Sequence, residues 1–165
     1  MSHGRPTRRP RYRPRIDNLS LALCRAARLM PHEIDEALHL VRPALAALRQ
    51  GVATELQWSA LASAIEVALA IEDQRVVKGL REHLKSAELA MSEISKRAMA
   101  TGTWCQVELH LQELDDVAEG IRLYEFQLEQ LSAGELARAV ATARTRVCQA
   151  GGLVIDAHEL QGELL

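Results

Sequence analysis

Six arginines, Arg5, Arg8, Arg9, Arg11, Arg13 and Arg15, crowd eleven residues, and the first fifteen residues hold no acid. Guanidinium groups at this density neutralise neighbouring phosphates and release counterions, so nucleic acid is one partner they imply. An acidic protein surface is another. A solvated tail with no specific role is the plain reading. Pro6, Pro10 and Pro14 recur every four residues in the same stretch. Each fixes its own φ and turns its predecessor away from helix, which favours extended, polyproline-like chain. Almost no apolar side chain is there to offset the entropy of ordering. Residues 1–15 are therefore expected to be a disordered basic arm.

The second charged feature has the opposite sign. Between Cys105 and Glu135 stand eight acids, Glu108, Glu113, Asp115, Asp116, Glu119, Glu125, Glu129 and Glu135, against one base, Arg122. A solvated helix face is the ordinary role of such a run. The functional alternative is a surface for a basic partner, or a mimic of a phosphate backbone. Asp115, Asp116 and Glu119, with Phe126 as an apolar contact, are the residues expected to form it.

Catalytic and metal chemistry find little support. A di-metal bundle site needs Glu-x-x-His twice plus two more carboxylates. Only Glu36 and His39 make such a pair, with Glu66 a distant candidate, so no metal is expected. Cys105 stands beside Trp104 with His110 near in sequence, but no third group orients them. His110 reads as a hydrogen-bonded histidine at the core edge. Glu66, on an apolar helix, becomes a site candidate only if it is buried without a partner. No G-x-S-x-G, phosphate-binding loop or dinucleotide fingerprint occurs. No catalytic residue and no cofactor is expected.

Composition bounds the fold. The chain has 165 residues, 48% hydrophobic and 3% aromatic, enough apolar content for one core but too few aromatics for an all-β protein or a base-stacking platform. The net charge of −2 hides an asymmetry: +6 over residues 1–15 and −8 over the rest. Cys24, Cys105 and Cys148 are scattered and odd in number, which fits a reducing cytoplasm. No apolar segment is long enough for a membrane span.

The elements that must position these residues are helical. From Asp17 onward apolar residues recur three and four apart. The spacing predicts helices over about 18–29, 31–51, 54–73, 75–100, 109–131 and 133–149. Pro43 is expected to kink or split the second just before it. Thr54 with Gln57, and Ser132 with Glu135, read as capping boxes. The third helix is apolar nearly all round and so central. Val77, Leu80, Leu84, Met91 and Ile94 form a stripe fit for a core or a dimer seam. The expected fold is all-α, an antiparallel bundle of five to six helices over residues 16–152, with a short tail over 153–165 that docks or frays.

Two resemblances add to this. Gly4-Arg5-Pro6 resembles part of an AT-hook, which places such a core in the minor groove. Gly51-Val-Ala-Thr-Glu-Leu-Gln-Trp58, Val77-Lys-Gly-Leu-Arg-Glu-His83 and Tyr124-Glu-Phe-Gln-Leu-Glu-Gln-Leu131 together resemble a group of short bacterial helical proteins of phage or plasmid type. Some of these are labelled Fis-type transcription regulators. The resemblance covers most of residues 5–150 and implies a bacterial cytoplasmic protein. Fis-type regulators end in a basic helix-turn-helix. Here residues 133–165 carry Arg138, Arg144 and Arg146 against Glu135, Asp156, Glu159 and Glu163, with Gly151-Gly152 where a recognition helix would run.

The reading that follows is a non-enzymatic helical interaction or accessory protein, working through protein–protein contacts and able to self-associate. The alternatives are a nucleic-acid-binding regulator or architectural factor using the arm, and an acidic inhibitor of a nucleic-acid-handling complex.

Overall fold

Local capping signals set where the helices start. Thr54 Oγ1 accepts from the Gln57 N–H at 3.3 Å while Gln57 Oε1 accepts from the Thr54 N–H at 2.9 Å. Ser132 and Glu135 exchange the same pair at 3.4 and 2.8 Å. Glu33 and Glu113 accept from the N–H groups of Met30 and His110 at 2.7 and 3.1 Å. Each bond satisfies an N–H that the first helical turn leaves open.

The computed structural model describes residues 18–105 and 107–151. They form α1 (Asn18–Ala26), α2 (Pro31–Leu38), α3 (Val41–Arg49), α4 (Glu55–Asp73), α5 (Arg81–Thr101), α6 (Leu111–Gln130) and α7 (Ala133–Gln149). No strand occurs among the described residues; Arg28 and Ser132 make one isolated bridge. The fold is all-α, a helical bundle, as the periodicity predicts. The residues of the arm and of the tail, 1–15 and 153–165, lie outside the described ones.

The described residues form seven helices rather than five to six, for a physical reason. Pro43 lacks an N–H, and its ring clashes with a preceding helical turn. The chain breaks at His39 and Leu40, so that Pro43 falls in the first turn of α3, where no intrahelical donor is needed. The helix expected from residue 75 starts instead at Arg81. Arg75 (φ 61°) and Gly79 (φ 92°) take left-handed backbone and turn the chain between α4 and α5.

α4 packs against α3, α5, α6 and α7. Leu61, Ala64, Ile65, Ala68, Leu69, Ala70 and Ile71 are buried along it. Burying one such leucine or isoleucine contributes about 1.5–3 kcal/mol, so this helix anchors the core. Leu84, Met91 and Ile94 of the α5 stripe are also buried inside the chain's own core. They are therefore core rather than a dimer seam, while Val77 and Leu80 fall in the connection before α5. α5 and α6 run antiparallel, joined at one end by Arg97 with Glu113 and in the middle by Ala87 against Gly120.

Gln127 is fully buried on α6. Its Nε2 donates to the Ala68 carbonyl at 3.2 Å, but its Oε1 has no protein partner. Gln127→Met is expected to stabilise the fold by about 1 kcal/mol, because a buried half-satisfied amide costs more than an apolar chain of similar length. A urea midpoint lower than that of the parent chain would contradict this.

Candidate functional site

α1 is the element that least resembles the rest. Its residues alternate apolar and polar with helical period, yet none of them is buried. Leu19 is 69% exposed and Leu23 is 63% exposed, one turn apart on the same face. Met30, past the helix end, is also exposed. The helix is held at its C-terminal end. Leu29 N–H donates to the Leu131 carbonyl at 3.0 Å, and Ala133 N–H donates to the Ala27 carbonyl at 3.2 Å. Gly134 permits the approach: a Cβ there would stand 2.9 Å from the Arg25 carbonyl oxygen. α1 therefore rests on the first turn of α7 with its leucines facing outward. Two turns along α7, Val140 is exposed as well.

The face of α6 named from sequence is assembled in part. Asp115, Glu119 and Phe126 recur at spacings of four and seven and share a stripe with Arg122. Asp115 and Phe126 are exposed. Asp116 sits about 100° round the helix and accepts from Gln112 Nε2 at 3.0 Å. Glu119 is held by Arg122 at 2.8 and 2.6 Å, which lowers its pKa. Glu113 pairs with Arg97, and Glu125 with Arg42. Glu135 is lowered by the Ser132 N–H and hydroxyl. Five of the eight acids thus have intramolecular partners, leaving a mixed-charge face.

Glu66 borders an open groove of about 250 Å³ between α4 and α5, with Trp58, Ile65, Glu88, Ser95 and Lys96. Burial, then the charge of Glu88, push the Glu66 carboxyl above the usual carboxylate range. Lys85 holds Glu88 at 2.6 Å and Lys96 holds Glu93 at 2.6 Å, so the cations here are engaged locally. The lining contains neither cysteine nor histidine.

The remaining candidates stand apart. His39 Nδ1 lies 2.6 Å from the Glu36 carbonyl oxygen, a contact within one turn. No group of three or more His, Cys, Asp or Glu among the described residues is placed to hold a metal ion. Cys105 Sγ lies 3.9 Å from the carbonyls of Val52 and Ala53, and His110 is the exposed residue before α6. Trp104 packs on Trp58, ring centroids 5.3 Å apart, and Trp58 Nε1 donates to the Met91 carbonyl at 3.2 Å. Tyr124 is core; burial pushes its hydroxyl up to about 12. Arg5, Arg8, Arg9, Arg11, Arg13 and Arg15 lie outside the described residues.

The exposed leucines of α1 are what sequence reasoning missed. Their spacing is the same as that of a core helix, and only the tertiary placement separates the two. Among the described residues no helix is long and apolar enough to cross a membrane. No protein-family model, no curated protein and no solved structure matches the chain.

Proposed function

We propose that the chain is a non-enzymatic helical interaction protein that docks a partner protein on α1. The observation that carries this reading is an amphipathic helix with no buried residue on a bundle whose core is otherwise complete. Neighbouring exposed leucines on one helix face are a feature of binding surfaces. Arg25 ends the helix on the side that meets Gly134, Arg28 follows it, and the six-arginine arm precedes it in sequence. The complement is a helix with an apolar stripe and acidic flanks, which would lay its leucines on Leu19 and Leu23.

A fluorescein-labelled amphipathic peptide with leucines at i, i+4 and i+7 and glutamates beside them is the probe. By anisotropy it is expected to bind the full chain with a Kd on the order of 10 µM. Leu19→Ser/Leu23→Ser should weaken it about tenfold, and a lysine version of the peptide should not bind. Equal binding to the serine variant, or none to the parent chain, rejects the reading.

The charge asymmetry favours a second reading, in which the arm contacts phosphates. Duplex DNA titrated at several salt concentrations should then show log K falling with log salt at a slope of about −5, as six neutralised phosphates require. Substituting all six arginines by glutamine should abolish that slope. DNA binding that survives the substitution unchanged removes the arm from the site.

A further inference from the structure

The open groove between α4 and α5 is built from one stripe of each helix. Trp58, Ala62, Ile65 and Glu66 line it from α4, and Glu88, Met91 and Ser95 line it from α5. Trp58 bonds to the Met91 carbonyl while Glu66 meets Glu88, so the two helices run antiparallel. The indole and the carboxyls therefore mark opposite ends. Glu66 lies eight residues after Trp58 on α4, which is about 12 Å of helix. Between them the floor is apolar: Ala62, Ile65 and Met91.

The two ends differ in chemistry. At one, Glu66 is half-buried beside Glu88, two acids on facing helices. Lys85 holds Glu88 at 2.6 Å. Arg146 of α7 is the other cation that Glu66 feels, and it is bonded to Asp73. One cation thus serves two carboxyls. At the other end Ser95 is 8% exposed, and no protein group among the described residues bonds to its hydroxyl. A buried polar group left unpaired inside a groove is open to a bonding partner from outside the chain. Lys96 borders this end, tied to Glu93 at 2.6 Å, and it disfavours a second positive charge there. A volume of about 250 Å³ suits a small molecule rather than a peptide or a drug-sized ligand. A primary ammonium brings one positive charge and three donors, which two facing carboxyls can accept.

We propose that this groove binds a small linear primary amine with a neutral polar end, its ammonium between Glu66 and Glu88 and its chain lying over Ala62, Ile65 and Met91 towards Trp58 and Ser95. The site is separate from α1 and does not depend on the reading of that helix as a docking surface.

Aminohexanol is the probe and hexanediol its neutral counterpart, each titrated into the full chain and followed by calorimetry and by backbone amide shifts. Aminohexanol is expected to bind with a Kd on the order of 1 mM, and hexanediol at least about tenfold more weakly. The shifts should gather on residues 58–66 and 88–96. Equal affinity for the two probes, or shifts gathered elsewhere, overturns the proposal. Glu66→Gln keeps the shape of the side chain and removes its charge, so aminohexanol should bind it about tenfold more weakly. Unchanged affinity in a folded Glu66→Gln chain also overturns it. The ammonium needs an ionised Glu66, whose pKa burial and Glu88 raise while Lys85 and Arg146 pull it down. Affinity should therefore climb as pH rises from about 4 to about 7, with proton release on binding. An affinity level across that range would show that Glu66 takes no part.

Discussion

Gly120→Leu is expected to destabilise the fold by at least about 3 kcal/mol, at the upper end of core overpacking. A Cβ at Gly120 would stand 2.6 Å from Ala87 Cβ, closer than two carbons can sit, with Ile65 Cγ1 at 3.9 Å. The two helices meet there nearly backbone to backbone, and neither can move without shifting α4 behind them. Gly120→Ala sets two effects against each other. Helix propensity favours alanine by about 1 kcal/mol. The collision costs about 1–3 kcal/mol. The net is expected to be a loss of about 1 kcal/mol. The exchange Ala87→Gly/Gly120→Ala moves the methyl to the other helix and should recover most of that loss. Urea midpoints of the three variants decide it. A Gly120→Ala chain more stable than the parent would show that α5 and α6 separate freely at this crossing.

Glu113→Ala is expected to cost about 2 kcal/mol, combining a lost helix cap with a lost charge-assisted pair. Glu113 accepts from Arg97 through both oxygens and from the His110 N–H, while Arg97 Nε also donates to the Glu108 carbonyl at 2.9 Å. The pair is largely shielded, with side chains 25% and 15% exposed, so it is screened less than a surface pair. Burial alone would raise the Glu113 pKa, but Arg97 and the His110 N–H together hold it below the ordinary 4.5. A depressed folded-state pKa stabilises the fold above the unfolded value, and the gain is lost as pH falls through the folded one. Stability should therefore decline from about pH 4.5 downward. Glu119, Glu135 and Asp73 are lowered too and act in the same direction. Glu66 is raised and opposes them, since its contribution is full at low pH and lost as pH rises. Glu113→Gln should flatten the acid limb measured by thermal melts at stepped pH. An unchanged limb would contradict the assignment.

The helices were legible in the sequence because their signals are local. Thr54 with Gln57 and Ser132 with Glu135 mark two starts to the residue, since a capping box needs only four neighbours in the chain. Pro43 announced a break just before it, and α2 ends at Leu38 on that side. That is decided by the proline needing a first-turn position, and the helix before it yields. Gly79 was read through as helix because the surrounding apolar spacing continues past it. The site was less legible. Apolar periodicity reports that a face wants cover; it does not report whether the fold provides it. The stripe of Leu84, Met91 and Ile94 and the stripe of Leu19 and Leu23 look alike in sequence, yet one is buried and the other is exposed. The acids of α6 were equally ambiguous. Arg97 and Arg42 lie far from Glu113 and Glu125 along the chain, and only folding pairs them.

The contact between Trp58 and Trp104 has an optical consequence. These are the chain's two tryptophans, so every indole signal originates at one place, where α4, α5 and the 102–110 connection meet. Rings 5.3 Å apart and tilted by 45° couple their strongest transition, and the dichroism at the long-wavelength edge of the far ultraviolet should carry a paired band of opposite signs. Loosening that connection would erase the couplet before the backbone signal at shorter wavelength changes. Events on α1 and α7 would leave it untouched, so the two wavelengths together separate motion at one end of the bundle from motion at the other.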